Sequence, residues 1–443
     1  MKKRRDTWVA GLTLFAMFLG AGNIIFPPYI GVQAGHGWLW AALGFLLTAA
    51  GFPMLSALAV VKGGGNPDQL SRRFSLRFGK ALNAIILLMI GPLFAIPRTA
   101  ATTFELSLQP FLPVDANMPL LMAATAFLFF AITYVLAVRQ GRFMDAIGCV
   151  LTPILVVLLV VTIAISAFRP MGSPAAPLLD ENLIGFGFKG GYQTMDGIGA
   201  LVLSGTITAL LADKGYDPQK SRGMLRRVVL IAGVLLAGVY LGYIWIGASG
   251  NGLLAGLTTR AQILTAAMRN LAGATGQILL ALVILFACLT TSAGLTVTFA
   301  QYFSQLTNQR ISYKRWVGIA VVVSFAISLL GVERIIALAD PVLAFAYPLC
   351  IVLVALGLLG RAIRSDLAFK GAMMGALLFS ALSLVHTLCP DCGWAARIIA
   401  WLPLGDFGFG FLLPTVAGGI LGWLLDMARM LLMPQAAGYQ QNR

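Results

Sequence analysis

The sequence predicts an all-α polytopic membrane protein of twelve transmembrane helices, and three observations carry that reading. Hydrophobic residues make up 59% of the 443 positions and charged residues only 11%, against about 25% charged in a soluble domain. The mean hydropathy is +0.88. Apolar runs of about twenty residues, the length that crosses a hydrocarbon core, recur along the whole chain between charged, Gly and Pro breaks. They lack the two-residue alternation of barrel strands. Third, the basic residues alternate in density from one break to the next. A soluble enzyme is excluded, and the lack of a G-x-x-x-x-G-K-[ST] loop argues against an ATP-driven pump.

Taken in order, the runs predict helices near 8–32, 38–61, 81–105, 118–138, 143–168 and 190–212. The second half follows near 226–249, 275–304, 316–332, 335–359, 371–388 and 407–432. The first run begins after Lys2-Lys3-Arg4-Arg5, as a secretory signal also would. It is too long for a signal core and shows no convincing small-x-small cleavage site before it ends, so it is expected to stay as a membrane span.

Charge orients these spans, because Lys and Arg resist translocation. With both termini cytoplasmic, the inner segments hold the four amino-terminal bases, then Lys62, Arg72, Arg73, Arg77 and Lys80, then Arg139 and Arg142. They also hold Lys214, Lys220, Arg222, Arg226 and Arg227; Arg310, Lys314 and Arg315; Arg361, Arg364 and Lys370; and Arg429 and Arg443. That makes 24 inner bases against six outer ones: Arg169, Lys189, Arg260, Arg269, Arg334 and Arg397. The formal charge of +15 is thereby explained without a nucleic-acid partner. A bacterial inner-membrane location is expected.

Transporter sites form where a spanning helix unwinds and frees its amide and carbonyl groups. Gly20-Ala21-Gly22-Asn23, with Pro27-Pro28 beyond, interrupts the first run, and the stretch from Gly190 to Gly199 interrupts the sixth. Either alone reads equally as helix packing. Together they stand where a five-plus-five inverted repeat places its broken helices. The chain then divides into a first repeat (8–168), a second (190–359) and two peripheral helices (371–432), within one transport domain.

Charge inside a span costs roughly 2.5–3.5 kcal/mol, so each intramembrane ion is a functional candidate. Arg98, Glu105, Asp196 and Asp340 qualify, with Asp145 near the cytoplasmic face. Arg98 and Glu105 share a helix face, which also suits a structural ion pair. Asp196 beside the second break would face a substrate amine, carry a proton, or pair with Arg98. Thr290-Thr291-Ser292 lies in an apolar run; its hydroxyls would either bond within and between helices or supply hard oxygens to sodium.

GAGNIIFPPYIGVQAG (20–35), GPLFAIPRTAATTFE (91–105) and GYQTMDGIGALV (191–202) resemble the bacterial branched-chain amino acid:cation symporter family, supported by CLTTSAGLT (288–296) and PVLAFAYP (341–348). The resemblance spans essentially the whole chain. It implies secondary uptake of leucine, isoleucine and valine on a sodium or proton gradient, with no cofactor beyond the coupling ion. That family is in turn similar in fold to the sodium-coupled leucine-transporter group, whose first helix reads G-L-G-N-x-x-R-F-P. The resemblance implies that Ala21 and Gly22 offer amides to the substrate carboxylate and Asn23 a side-chain oxygen to a cation. Ala16 and Leu19 carbonyls with the hydroxyls of Thr290 and Thr291 would hold sodium. Thr194 and Gly197 would lie with Asp196 beside the substrate. Here G-A-G-N-I-I-F-P lacks the arginine before F-P and is one residue shorter.

Weaker signals remain. His386-x-x-Cys389-x-x-Cys392 lacks a fourth ligand for zinc; a Cys389–Cys392 disulfide on the oxidising side and two incidental thiols both fit. Cys149, Cys288 and Cys350 sit in apolar runs, His36 in a loop, and the tail QAAGYQQNR is polar. An integral-membrane enzyme would need a carboxylate or histidine cluster at the membrane surface, and a channel a lined continuous pore. The loops show neither.

Overall fold

A computed structural model describes residues 2–432 except 64–67, 69, 71–72, 114, 139–150, 214, 218–221, 364, 390–392 and 406. Arg139, Arg142, Asp145 and Cys149 therefore lie outside the described residues. So do Cys392, the tail from Met433, and Arg72, Lys214, Lys220, Arg364 and Arg443 of the charge pattern.

Helix is the only regular structure among the described residues. In chain order the main elements are α1 (Lys2–Phe18), α2 (Ala21–Ala34), α3 (Trp38–Leu46), α4 (Phe52–Lys62), α5 (Leu76–Leu88), α6 (Ala95–Thr103) and α7 (Met118–Val138). There follow α8 (Thr152–Phe168), α9 (Leu183–Tyr192), α10 (Asp196–Asp213), α11 (Arg222–Ser249) and α12 (Arg260–Leu306). The last are α13 (Tyr313–Ser328), α14 (Val332–Leu359), α15 (Asp366–Leu388), α16 (Gly393–Trp401) and α17 (Leu412–Leu432). Each predicted apolar run carries helix in its described part. Among the described residues, seven helical stretches are long and apolar enough to cross a membrane.

The interruptions are sharper than the sequence suggests. The first break is confined to Leu19 and Gly20; Ala21, Gly22 and Asn23 already form the first turn of α2. Pro27 and Pro28 lie inside α2 and do not end it. Lacking N–H groups, they leave the carbonyls of Asn23 and Ile24 without i+4 donors. The second break is Gln193 to Met195, with Met195 in the left-handed region at φ 63°. Gly190 and Gly191 close α9, while Gly197 and Gly199 open α10.

A third discontinuity went unpredicted. Between α5 and α6 the backbone leaves helical values at Gly91 (φ −88°, ψ −124°), ahead of Pro92. This bend aims α6, and with it Arg98, at the break before α10. α12 also kinks, at Ala272 and Gly273, so that the span carrying Thr290 and Thr291 begins just after it.

Glycine lets the helices close around this centre. A Cβ on Gly247 of α11 would stand 1.9 Å from the Pro28 carbonyl of α2, and one on Gly187 of α9 1.9 Å from the Ala41 carbonyl of α3. At the periphery two G-x-x-x-G patterns face each other. A Cβ on Gly371 or Gly375 of α15 would meet the carbonyls of Gly418 or Pro414 on α17 at 2.1 and 2.0 Å.

Candidate functional site

The two breaks meet. Gly20 caps α2: its N–H donates to Asn23 Oδ1 at 3.1 Å, which leaves the amides of Ala21 and Gly22 among the unpaired donors of the helix start. Asn23 spends its other side-chain atom on α10, donating Nδ2 to Asp196 Oδ2 at 2.5 Å. Tyr240 of α11 closes the triangle, its hydroxyl donating to the same oxygen at 2.5 Å and accepting from Asn23. All three residues are buried. An anion at the first turn of α10 and open amides at the first turn of α2 both sit where the helix dipole is positive.

The opposite polarity appears at the end of α9. Arg98, 3% exposed, donates Nη1 to the Gln193 carbonyl at 2.9 Å. Its cation thus meets the negative end of the half-helix. Gln193 in turn donates its side-chain amide to Asp340 of α14. The guanidinium passes so close to α2 that a Cβ on Gly22 would lie 2.6 Å from Arg98 Nη2. No ion pair joins Arg98 to Glu105 or to Asp196 among the described residues. The pairings open at the sequence level give way to a bond with backbone, because the bend at Gly91 aims α6 at the second break. Glu105 instead accepts from the Val332 amide at 2.9 Å.

On the other side of α1, Thr290 and Thr291 both donate to the Ala16 carbonyl, at 3.3 and 3.1 Å. Three oxygens from two helices therefore converge next to the break. Thr290 also bonds the Ala287 carbonyl at 3.0 Å, so part of its reach stays within its own helix. Leu19 is buried and its N–H continues α1 to the Phe15 carbonyl at 2.8 Å. Ser292 belongs elsewhere: its hydroxyl meets Thr133 of α7 at 3.3 Å.

Between these groups lies a cavity of about 30 Å³, lined by Gly20, Ala21, Asn23, Arg98, Thr194, Asp196 and Thr291 among others, with an apolar wall that includes Met17, Ile90 and Leu295. This is room for roughly one water molecule. Of the expected substrate residues, the structure gathers Ala21, Asn23, Thr194 and Asp196 on this cavity. Thr194 ties the unwound segment to α9, donating to the Gly191 carbonyl at 2.9 Å. Gly22 lies behind, against Arg98. Gly197 packs away from the cavity, a Cβ there falling 2.1 Å from Phe52.

Arg260, at the start of α12, pairs with Glu333 at 2.5 Å and lies over the rings of Phe26 and Tyr29 at 5.2 and 4.8 Å. At the amino-terminal end, Tyr216 donates to Asp6 of α1 at 2.8 Å; this bond to a carboxylate holds the tyrosine hydroxyl above its ordinary range. Among the described residues no group of three or more His, Cys, Asp or Glu stands together as a metal site. Cys389 is exposed, away from this centre.

Sequence reasoning missed Tyr240 and the bridge that Gln193 makes between Arg98 and Asp340. Tyr240 is one of several aromatic residues in an apolar helix, and nothing in its spacing separates it from Tyr243. Gln193 had a signal: a polar side chain between a helix-ending glycine pair and Asp196.

The chain matches the family model described as branched-chain amino acid transport protein over residues 3–429. It is 37% identical to the branched-chain amino acid transport system 2 carrier protein of Pseudomonas aeruginosa, over 98% of each chain. It is 36% identical to the branched-chain amino acid permease BrnQ of Escherichia coli, over 96% of this chain and 97% of that one. Among solved structures it shares its fold with MhsT in complex with L-phenylalanine (TM-score 0.55, 18% identity, 85% of this chain and 97% of that one). A sodium-coupled sialic acid symporter in a substrate-bound, outward-open state is similar in the same way (TM-score 0.59, 16% identity, 94% and 90%).

Proposed function

The chain belongs to the branched-chain amino acid transport protein family and is a transporter, not an enzyme; from that premise we propose that it is a secondary symporter taking up leucine, isoleucine and valine with sodium. One observation carries the reading: the breaks in the first and sixth predicted spans face each other across a buried cavity holding complementary partial charges. A zwitterion has a carboxylate for the amide of Ala21 at the first turn of α2, and an ammonium for Asp196 and Thr194 on the same cavity. The apolar wall suits a branched side chain. At about 30 Å³ the cavity is smaller than any amino acid, so binding must part the helices around it, as alternating access requires.

Sodium is favoured over a proton by the convergence of the Thr290 and Thr291 hydroxyls on the Ala16 carbonyl, with Thr291 and Asn23 lining the same cavity. These are hard, neutral oxygen donors. Rotating the two hydroxyl protons away from Ala16 would turn three oxygens toward an ion. A second reading rests on Asp196, a buried carboxyl with two hydrogen-bond donors on one oxygen and positioned to carry a proton. We assign 8–168 and 190–359 as the two repeats, 371–432 as peripheral, and both termini to the cytoplasmic side of a bacterial inner membrane. The test is leucine uptake into proteoliposomes under a sodium gradient at fixed pH. No uptake of any of the three amino acids under sodium or proton gradients would overturn the proposal.

A further inference from the structure

We propose that the start of α11 and the amino-terminal turns of α1 form a binding site for the phosphate headgroup of an anionic glycerophospholipid. Two pockets flank the first turns of α11. One, of about 400 Å³, carries Lys62, Arg222 and Arg226 over Met54, Leu58 and Val229. The other, of about 610 Å³, carries Lys3, Arg4 and Arg227 over Trp8, Leu230 and Ile231. Leu230 belongs to both. Neither lining contains an acidic residue, and none of Lys3, Arg4, Arg222, Arg226 or Arg227 has a carboxylate partner among the described residues.

Bases scattered on a solvated loop would satisfy orientation alone. These are grouped instead around concave apolar floors. From the floors an exposed stripe runs along α11 through Leu230 (54% exposed), Val234 (62%) and Leu241 (38%). The stripe offers a track for an acyl chain, ending at a cluster of cations where a headgroup phosphate would lie. Trp8, half exposed, has the amphipathic ring that favours this depth. Because the larger pocket joins α1 to α11, a bound lipid would also fasten the half-helix that precedes the first break. α1 already lies close there, a Cβ on Gly11 standing 2.9 Å from Ile231.

The test is native mass spectrometry of the delipidated full chain, titrated with phosphatidylglycerol, phosphatidylcholine or inorganic phosphate, and read without transport. Phosphatidylglycerol should bind about tenfold tighter than phosphatidylcholine. The double variant R226Q/R227Q should lose that preference and R226K/R227K keep it. R310Q/R315Q, on another basic turn, should leave it intact. Equal binding of the two lipids, an unchanged R226Q/R227Q variant, or equal loss in R310Q/R315Q would overturn the site. Displacement of lipid by millimolar inorganic phosphate would overturn the lipid as its ligand.

Discussion

Asn23 and Asp196, 173 residues apart, share a 2.5 Å hydrogen bond, each standing in the first turn of the helix that follows a break. The two interrupted helices are therefore joined through side chains, while their backbone ends stay open to a ligand. Tyr240 braces the same oxygen from α11. A substrate bound at Asp196 meets a carboxyl that both donors hold in place, which couples binding to the spacing of three helices.

Replacing Asp196 by Asn keeps the shape and removes the charge. Hydrogen bonds to a charged group contribute about 1.5–3 kcal/mol, so D196N should lower leucine uptake by roughly ten- to a hundredfold. Reconstituted uptake at matched protein density checks this. Uptake equal to wild type would remove Asp196 from the site.

Tyr240→Phe separates the hydroxyl from the ring. The ring packs edge-on against Phe45, with centroids 5.3 Å apart, and stays in place. Leucine affinity should fall by roughly thirtyfold, for a net loss of about 1 kcal/mol for each of its two bonds, while the melting temperature falls only slightly. A large drop in melting temperature with unchanged affinity would make Tyr240 structural only.

Gly22→Ala brings a methyl to 2.6 Å from Arg98 Nη2. The guanidinium must shift, which loosens its bond to the Gln193 carbonyl, and a carbonyl that loses its partner costs about 1–3 kcal/mol. Uptake should fall by about tenfold or more. Restoring uptake in G22A with Arg98→Lys, whose head is smaller, would show the clash to be the cause.

A contrasting result is expected at the periphery. Gly375→Leu forces apart α15 and α17, where a Cβ alone would meet the Pro414 carbonyl at 2.0 Å. Thermal stability should drop by about 1–3 kcal/mol or more. The KM for leucine should stay the same, because neither helix reaches the cavity. A changed KM would tie these helices to the site.

Much of this architecture was legible because membrane physics leaves few choices. Apolar runs had to become helix, and the stretches Gly20–Asn23 and Gly190–Gly199, each alone equally readable as packing, together pointed to the two breaks. What the sequence could not show was direction. Arg98 and Glu105 lie on one helix face, yet the bend at Gly91 sends Arg98 to Gln193, while Glu105 finds the Val332 amide. Gly91-Pro92 was a readable signal for that bend. Tyr240 was not readable, since its role depends on how α11 packs against α2.

The most direct measurement is leucine uptake into proteoliposomes with sodium and proton gradients imposed separately, for wild type and Thr291→Ala. Losing one oxygen beside the Ala16 carbonyl should raise the sodium concentration for half-maximal uptake by about tenfold, about 1.4 kcal/mol, and leave leucine affinity at saturating sodium near wild type. Uptake driven by pH alone, untouched by T291A and abolished by D196N, would contradict the sodium site and make Asp196 the proton carrier.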